Sequence, residues 1–170
     1  MLATTASRWV RVPLVILVGL AVQTTFFADM QPFDALADIM VLLAITAGAV
    51  AGPRDGAVYG FITGLAYDFV LRTPFGLSAL TYALVGYGAG YLQQWMSVAR
   101  WWLASLVVGA ASAVAMAGYA VIGTVFGLKD AVNPHLITVM AVVGVVNAVL
   151  AMPALWVQRW ALLSRRERTA

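Results

Sequence analysis

The chain has no cysteine and a single histidine, His135. Without cysteine there is no disulfide, no thiolate metal site and no Cys nucleophile. With one histidine, expected in a loop, Ser78, Ser105 and Ser112 have no buried imidazole to act as base. No H-E-x-x-H, G-x-S-x-G, P-loop or paired-carboxylate pattern occurs. Acid–base hydrolysis, metal catalysis and ATP binding are therefore not expected, and the chain reads as a non-enzyme with no cofactor. Charge is also scarce. Only 10% of the 170 residues are charged while 63% are hydrophobic, against about 25% charged in an ordinary soluble domain. A soluble core this apolar would lack polar surface to cover it, so a bilayer is the expected solvent. The net charge of +3 is spread between apolar blocks rather than gathered on one face, which argues against nucleic acid.

What the chain does have is long apolar runs. A helix needs about 20 mostly apolar residues to cross a bilayer, and six runs qualify, near 10–28, 35–52, 56–72, 75–94, 101–127 and 136–160. The expectation is an all-α, polytopic membrane protein, a compact bundle of six transmembrane helices with residues 1–170 in a single membrane domain. Barrel strands are excluded by the length of the runs and their lack of alternation. The first run follows Arg8 and Arg11 as a signal peptide would. However, Phe26 and Phe27 stand where a cleavage site needs small residues, so it is read as a retained helix. Six spans put both termini on one side. With the termini inside, that side receives Arg8, Arg11, Arg54, Arg100, Arg159, Arg165, Arg166 and Arg168, and the other only Arg72 and Lys129. This is the positive-inside pattern. Trp9, Trp95, Trp101, Trp102, Trp156 and Trp160 fall at the same inner ends, where amphipathic rings settle.

Lipid gives no hydrophobic drive between helices, so small residues that allow close backbone approach matter. Gly56, Gly60 and Gly64 recur at four-residue spacing and form a slanted groove that leads toward Asp68. Gly86 and Gly90 repeat the spacing on the fourth run. Gly109, Ala113 and Ala117 do so on the fifth, and Gly144 and Ala148 on the sixth. Each groove suits either a helix of the same bundle or a partner's helix. Pro153 removes a backbone hydrogen bond from the sixth run and is expected to kink it. Two acids lie within the runs. Asp38 is close to the outer start of the second, where a helix dipole favours an acid. Asp68 is in the last turns of the third, four residues before Arg72 and in the favourable order for an ion pair. Asn147 is expected to make an interhelical hydrogen bond. Because Asp68 shares the glycine groove, Asp68→Ala is expected to damage function more than Asp38→Ala.

The stretch "FDALADIMVLLAITAGAVAGPRDGAVYGFITGLAYDFVLRTPFGLSALTYALVGYGAGYL", residues 33–92, resembles the rod shape-determining protein MreD family. Asp38 matches the acid at the start of that family's second span, and Arg54 its basic turn. Gly60, Gly64 and Asp68 match its G-x-x-x-G-x-x-x-D core. Pro74, Gly76, Ala79 and Leu80 match the following loop and helix start. Ala37 departs from the family, which usually has proline there. The resemblance implies a bacterial cytoplasmic (inner) membrane component of the cell-elongation machinery with no catalytic activity of its own. It would work with MreC, the MreB cytoskeleton, the RodA glycosyltransferase and its penicillin-binding transpeptidase. It also implies a fold related to the substrate-binding subunits of energy-coupling-factor (ECF) transporters. Self-association is left open. The helix-packing or partner-contact candidates are Gly56, Gly60, Gly64, Asp68, Arg72, Gly76, Asp38, Gly86 and Gly90.

The competing expectation is a vitamin-binding subunit of an ECF-type transporter, with Asp38, Asn147, Tyr67 and Tyr82 around an outward-facing pocket. Against it, "VPLVILVGLAVQTT" lacks the Ala-x-x-x-Ala docking patch usual in the first span of such subunits. A membrane enzyme or ion carrier comes third, because buried ionisable groups are few.

Overall fold

The computed structural model describes residues 2–25, 38–70, 74–95, 101–128 and 132–163, with the side chains of 2–9, 94–95 and 101 left out. Among these residues the chain forms six helices and no strand: α1 (Leu2–Thr25), α2 (Ile39–Ala51), α3 (Pro53–Asp68), α4 (Leu77–Trp95), α5 (Trp101–Val125) and α6 (His135–Leu162). Each apolar run overlaps one helix, though α1 and α3 begin ahead of their runs. Among the described residues two helices, α5 from Trp102 and α6, are long and apolar enough to cross a membrane.

The helices do not share one role. The sequence of α2, IMVLLAITAGAVA, is apolar all round, the mark of a helix enclosed on every side. Every residue from Met40 to Gly48 is buried, and α2 packs against all five other helices. Its 13 residues rise about 20 Å, short of the roughly 30 Å hydrocarbon core of a bilayer. The expected 35–52 run is longer than the helix because Asp38, in an extended conformation, caps it and fixes its start at Ile39. At the other end Gly52 takes φ +88°, and its N–H donates to the Gly48 carbonyl at 2.9 Å. Only glycine adopts that backbone without strain. Pro53 then opens α3 at the first helical position, where its missing N–H costs nothing.

The outer helices present their apolar sides outward. Val114 and Val121 on α5, and Val145, Val149 and Trp156 on α6, are all more than half exposed. A water-soluble monomer rarely carries a continuous surface of this kind.

The closest packing is between α3 and α4. A Cβ added at Gly64 would lie 2.6 Å from the Ala79 Cα, and one at Gly60 would strike the Tyr82 carbonyl. One at Gly56 would lie 2.5 Å from the Gly48 Cα, and one at Gly90 would lie 2.6 Å from the Pro53 Cα. Gly86 faces the Gly56 backbone in return. The glycine groove of α3 is thus filled by the chain's own fourth helix. A second seam joins α5 to α6, where a Cβ on Gly109 would come within 2.8 Å of the Ala148 Cβ.

Candidate functional site

Two polar sites are built on this frame, one around each of the buried acids Asp38 and Asp68. The first closes the α3–α4 hairpin. The carbonyl of Gly76 accepts the first helical hydrogen bond of α4, from the Leu80 N–H at 2.9 Å. Gly76 therefore stands where a capping side chain would normally sit. Its φ of +96° strongly favours glycine, and glycine has no capping group to offer. Asp68, the buried last residue of α3, supplies one from across the hairpin. Its carboxylate accepts the N–H of Gly76 at 2.8 Å, of Ser78 at 3.2 Å and of Ala79 at 3.3 Å. Those are amides the first turn of a helix leaves without partners, and the helix dipole adds to the attraction. The expected partner, Arg72, lies outside the described residues.

This cap carries a stability prediction. Asp68→Ala leaves three amides without their acceptor and is expected to lower stability by about 2 kcal/mol or more. Gly76→Ala strains a left-handed backbone at a cost of about 1–2 kcal/mol. Thermal unfolding of the purified protein in detergent checks both, and Asp68→Asn, which retains a carbonyl acceptor, should recover part of the loss.

The second site lies at the N-terminus of α2 and takes one residue from each of the other helices. Asp38 caps α2, one oxygen accepting the Val41 N–H at 3.0 Å. Its other oxygen accepts the Tyr82 hydroxyl from α4 in a short hydrogen bond. Tyr82 stacks on Tyr67 of α3, with ring centroids 6.2 Å apart. Gln23 of α1 donates to the Tyr67 hydroxyl at 3.4 Å and accepts the Ile39 N–H at 2.8 Å. Asn147 of α6 donates to the Asp38 carbonyl at 3.1 Å and to the Ser112 hydroxyl of α5 at 3.0 Å. The Ser112 hydroxyl in turn donates to the Val108 carbonyl at 2.9 Å. All six side chains are buried. Nearer the basic end, Gln158 of α6 adds another link, donating to the Leu43 carbonyl of α2 at 3.0 Å.

Burying polar groups is costly unless they are paired, and here they pair with one another and with nearby backbone, while the Asn147 Oδ1 is left without a protein partner. A single interhelical hydrogen bond in a membrane protein is worth about 0.6–2 kcal/mol. The larger consequence is geometric, since satisfying the whole set requires all six helices to be in register. Among the described residues no group of three His, Asp or Glu side chains converges as a metal site would need. The hydrogen bonds and the ring stack of the site join residues from all six helices.

The two acids serve different elements. Asp68 serves one hairpin, while Asp38 lies where α2, α4 and α6 meet. Among the glycines, Gly56, Gly60 and Gly64 meet Gly86 and other α4 backbone, while Gly90 meets the turn at Gly52 and Pro53. Sequence reasoning passed over Gln23 altogether and noted Ser112 only as a serine without a base. Gln23 is a lone amide in the apolar run "LVILVGLAVQTT", and that isolation is the signal that could have singled it out. Tyr82 stands on the same four-residue stripe as Ser78, Gly86 and Gly90.

The family model for rod shape-determining protein MreD matches residues 4–157 of the chain. Neither a curated protein nor a solved structure matches it.

Proposed function

The chain belongs to the rod shape-determining protein MreD family, and on that premise we propose that it is a non-catalytic scaffold in the bacterial cytoplasmic membrane. In this reading it binds MreC directly and regulates lateral peptidoglycan synthesis through RodA and its penicillin-binding transpeptidase, with MreB engaged indirectly. Membership carries a role in rod-shape determination, and α5 and α6 mark a membrane protein. The observation that supports a scaffold is the use made of the polar side chains. The six at the second site are buried and committed largely to one another, holding the bundle together and leaving its outer faces for neighbours. The proposed topology is six spans with both termini cytoplasmic, supported by the eight-to-two division of basic residues.

Deleting the gene in a rod-shaped host is expected to give round or swollen cells, and the tagged protein should co-purify with MreC. Normal rods after a clean deletion, together with no MreC in the pull-down, would sink the proposal.

A second reading is a vitamin-binding subunit of an ECF-type transporter. It is favoured by the meeting of Asp38, Tyr67, Tyr82 and Asn147 at one buried site. Weighing against it, Asp38, Tyr82 and Asn147 are joined by hydrogen bonds within the site, and Tyr67 is bonded to Gln23 and stacked on Tyr82. Tight binding of a vitamin to the purified chain would establish this reading over the first.

A further inference from the structure

Between α1, α2 and α6 the surface opens into a cavity of about 610 Å³. Leu14 and Val18 line it from α1, Leu42 from α2, and Pro153 and Trp160 from α6. Apart from Gly19, every lining side chain is aliphatic or aromatic. Helices α1 and α6 run antiparallel here, so the cavity is an elongated slot beside α6 from Leu150 to Trp160. Ten residues of helix rise about 15 Å, so the slot offers an apolar strip of about that length, enough to run beside an extended acyl chain.

One end of the slot is charged. The Arg11 guanidinium lies 5.0 Å from the centroid of the Trp160 ring and donates to the Trp160 carbonyl at 3.2 Å. Arg159, in the last turn of α6 and next to Trp160 in the chain, is exposed. Guanidinium groups bind phosphate well through parallel N–H donors, and basic clefts between membrane helices are suited to anionic headgroups. An apolar slot that ends in a cation has the two-part chemistry of a phospholipid.

We propose that the slot between α1, α2 and α6 binds an anionic phospholipid, with acyl chain along Val18 and Leu42 and phosphate at Arg11. The full-length protein, purified in detergent and offered equal phosphatidylglycerol and phosphatidylcholine, is read by native mass spectrometry. The wild type is expected to retain phosphatidylglycerol over phosphatidylcholine by about fivefold or more. Arg11→Gln should abolish that preference and Arg11→Lys should keep it, which separates charge from the geometry of the Trp160 contact. Val18→Trp, which fills the slot, should reduce retention of both lipids; if that variant melts below wild type, the Arg11 pair decides. Equal retention of the two lipids by the wild type would overturn the proposal, as would an undiminished preference in Arg11→Gln. A photo-cross-linking residue at position 18 in living cells should yield an adduct of lipid mass. A protein adduct in its place would overturn the lipid assignment in favour of a partner's helix.

Discussion

Gly64→Leu is expected to abolish the close contact of α3 with α4 and to remove most folded protein from the membrane. The atoms in the way are the Ser78 carbonyl group and the Ala79 Cα, both backbone. A side-chain neighbour could rotate aside, but a helix backbone moves only as a unit. Overpacking a core usually costs about 1–3 kcal/mol. Here the two helices must part along the whole glycine stripe, and the loss should reach about 4 kcal/mol or more, the range reserved for severe defects. Gly60→Leu meets the Tyr82 backbone and should behave alike. The control is Gly88→Leu. Gly88 lies on the same α4, two residues from Gly86, and has nothing within 4 Å of where a Cβ would stand. Leucine there should be tolerated or gain slightly from helix propensity, by up to about 0.8 kcal/mol. Membrane levels by immunoblot and melting temperatures in detergent distinguish the three. Wild-type melting of Gly64→Leu would mean that α3 and α4 are not in contact as described.

The second large effect is at Asp38. Asp38→Ala removes the cap of α2, worth about 1 kcal/mol, and leaves the buried Tyr82 hydroxyl without its acceptor at about 1–3 kcal/mol more. A total near 3 kcal/mol is expected, with consequences for every helix that meets α2. Both alanine variants are therefore expected to destabilise the fold, and the functional order that the glycine stripe suggests, with Asp68→Ala the more damaging, is checked by complementation of cell shape. The mechanism has its own check in a double-mutant cycle. Tyr82→Phe removes the donor, and combining it with Asp38→Ala should cost less than the two changes added together, with a coupling of about 1–2 kcal/mol. Strict additivity would show that the two side chains do not interact. Asp38→Asn keeps a capping oxygen and should fall between wild type and alanine.

These expectations rest on contacts that were unevenly legible in the sequence. The rows Gly56–Gly60–Gly64 and Gly86–Gly90 were visible because helical geometry repeats every three to four residues, and the spacing marks a face. It cannot name what lies against that face: packing within the chain's own bundle is the favoured reading from the sequence, a partner's helix stays open beside it, and only the position of α4 decides. Asp68 shows the same limit. Arg72 was the nearest charge in sequence, but Gly76, Ser78 and Ala79 are the donors that reach the carboxylate. The signal was present in the glycine at position 76, which both permits the turn and leaves the cap position without a side chain.

By itself the sequence determined the material of this protein. An apolar, charge-poor chain with no cysteine and one histidine had to be helical and bound for a membrane, with six runs set by the breaks between them. Those are properties of composition and local periodicity, and each run overlaps one helix. Tertiary structure alone decided that α2, too short to match a bilayer, becomes the enclosed centre. It also decided that Gln23, Asp38, Tyr67, Tyr82, Ser112 and Asn147 form one site. Tyr82 reaches Asp38 across 44 positions and Asn147 reaches it across 109. No local pattern spans such distances. The pairings exist because buried polar groups must find partners wherever packing brings them together, and that packing is fixed by backbone contacts between helices far apart in the chain.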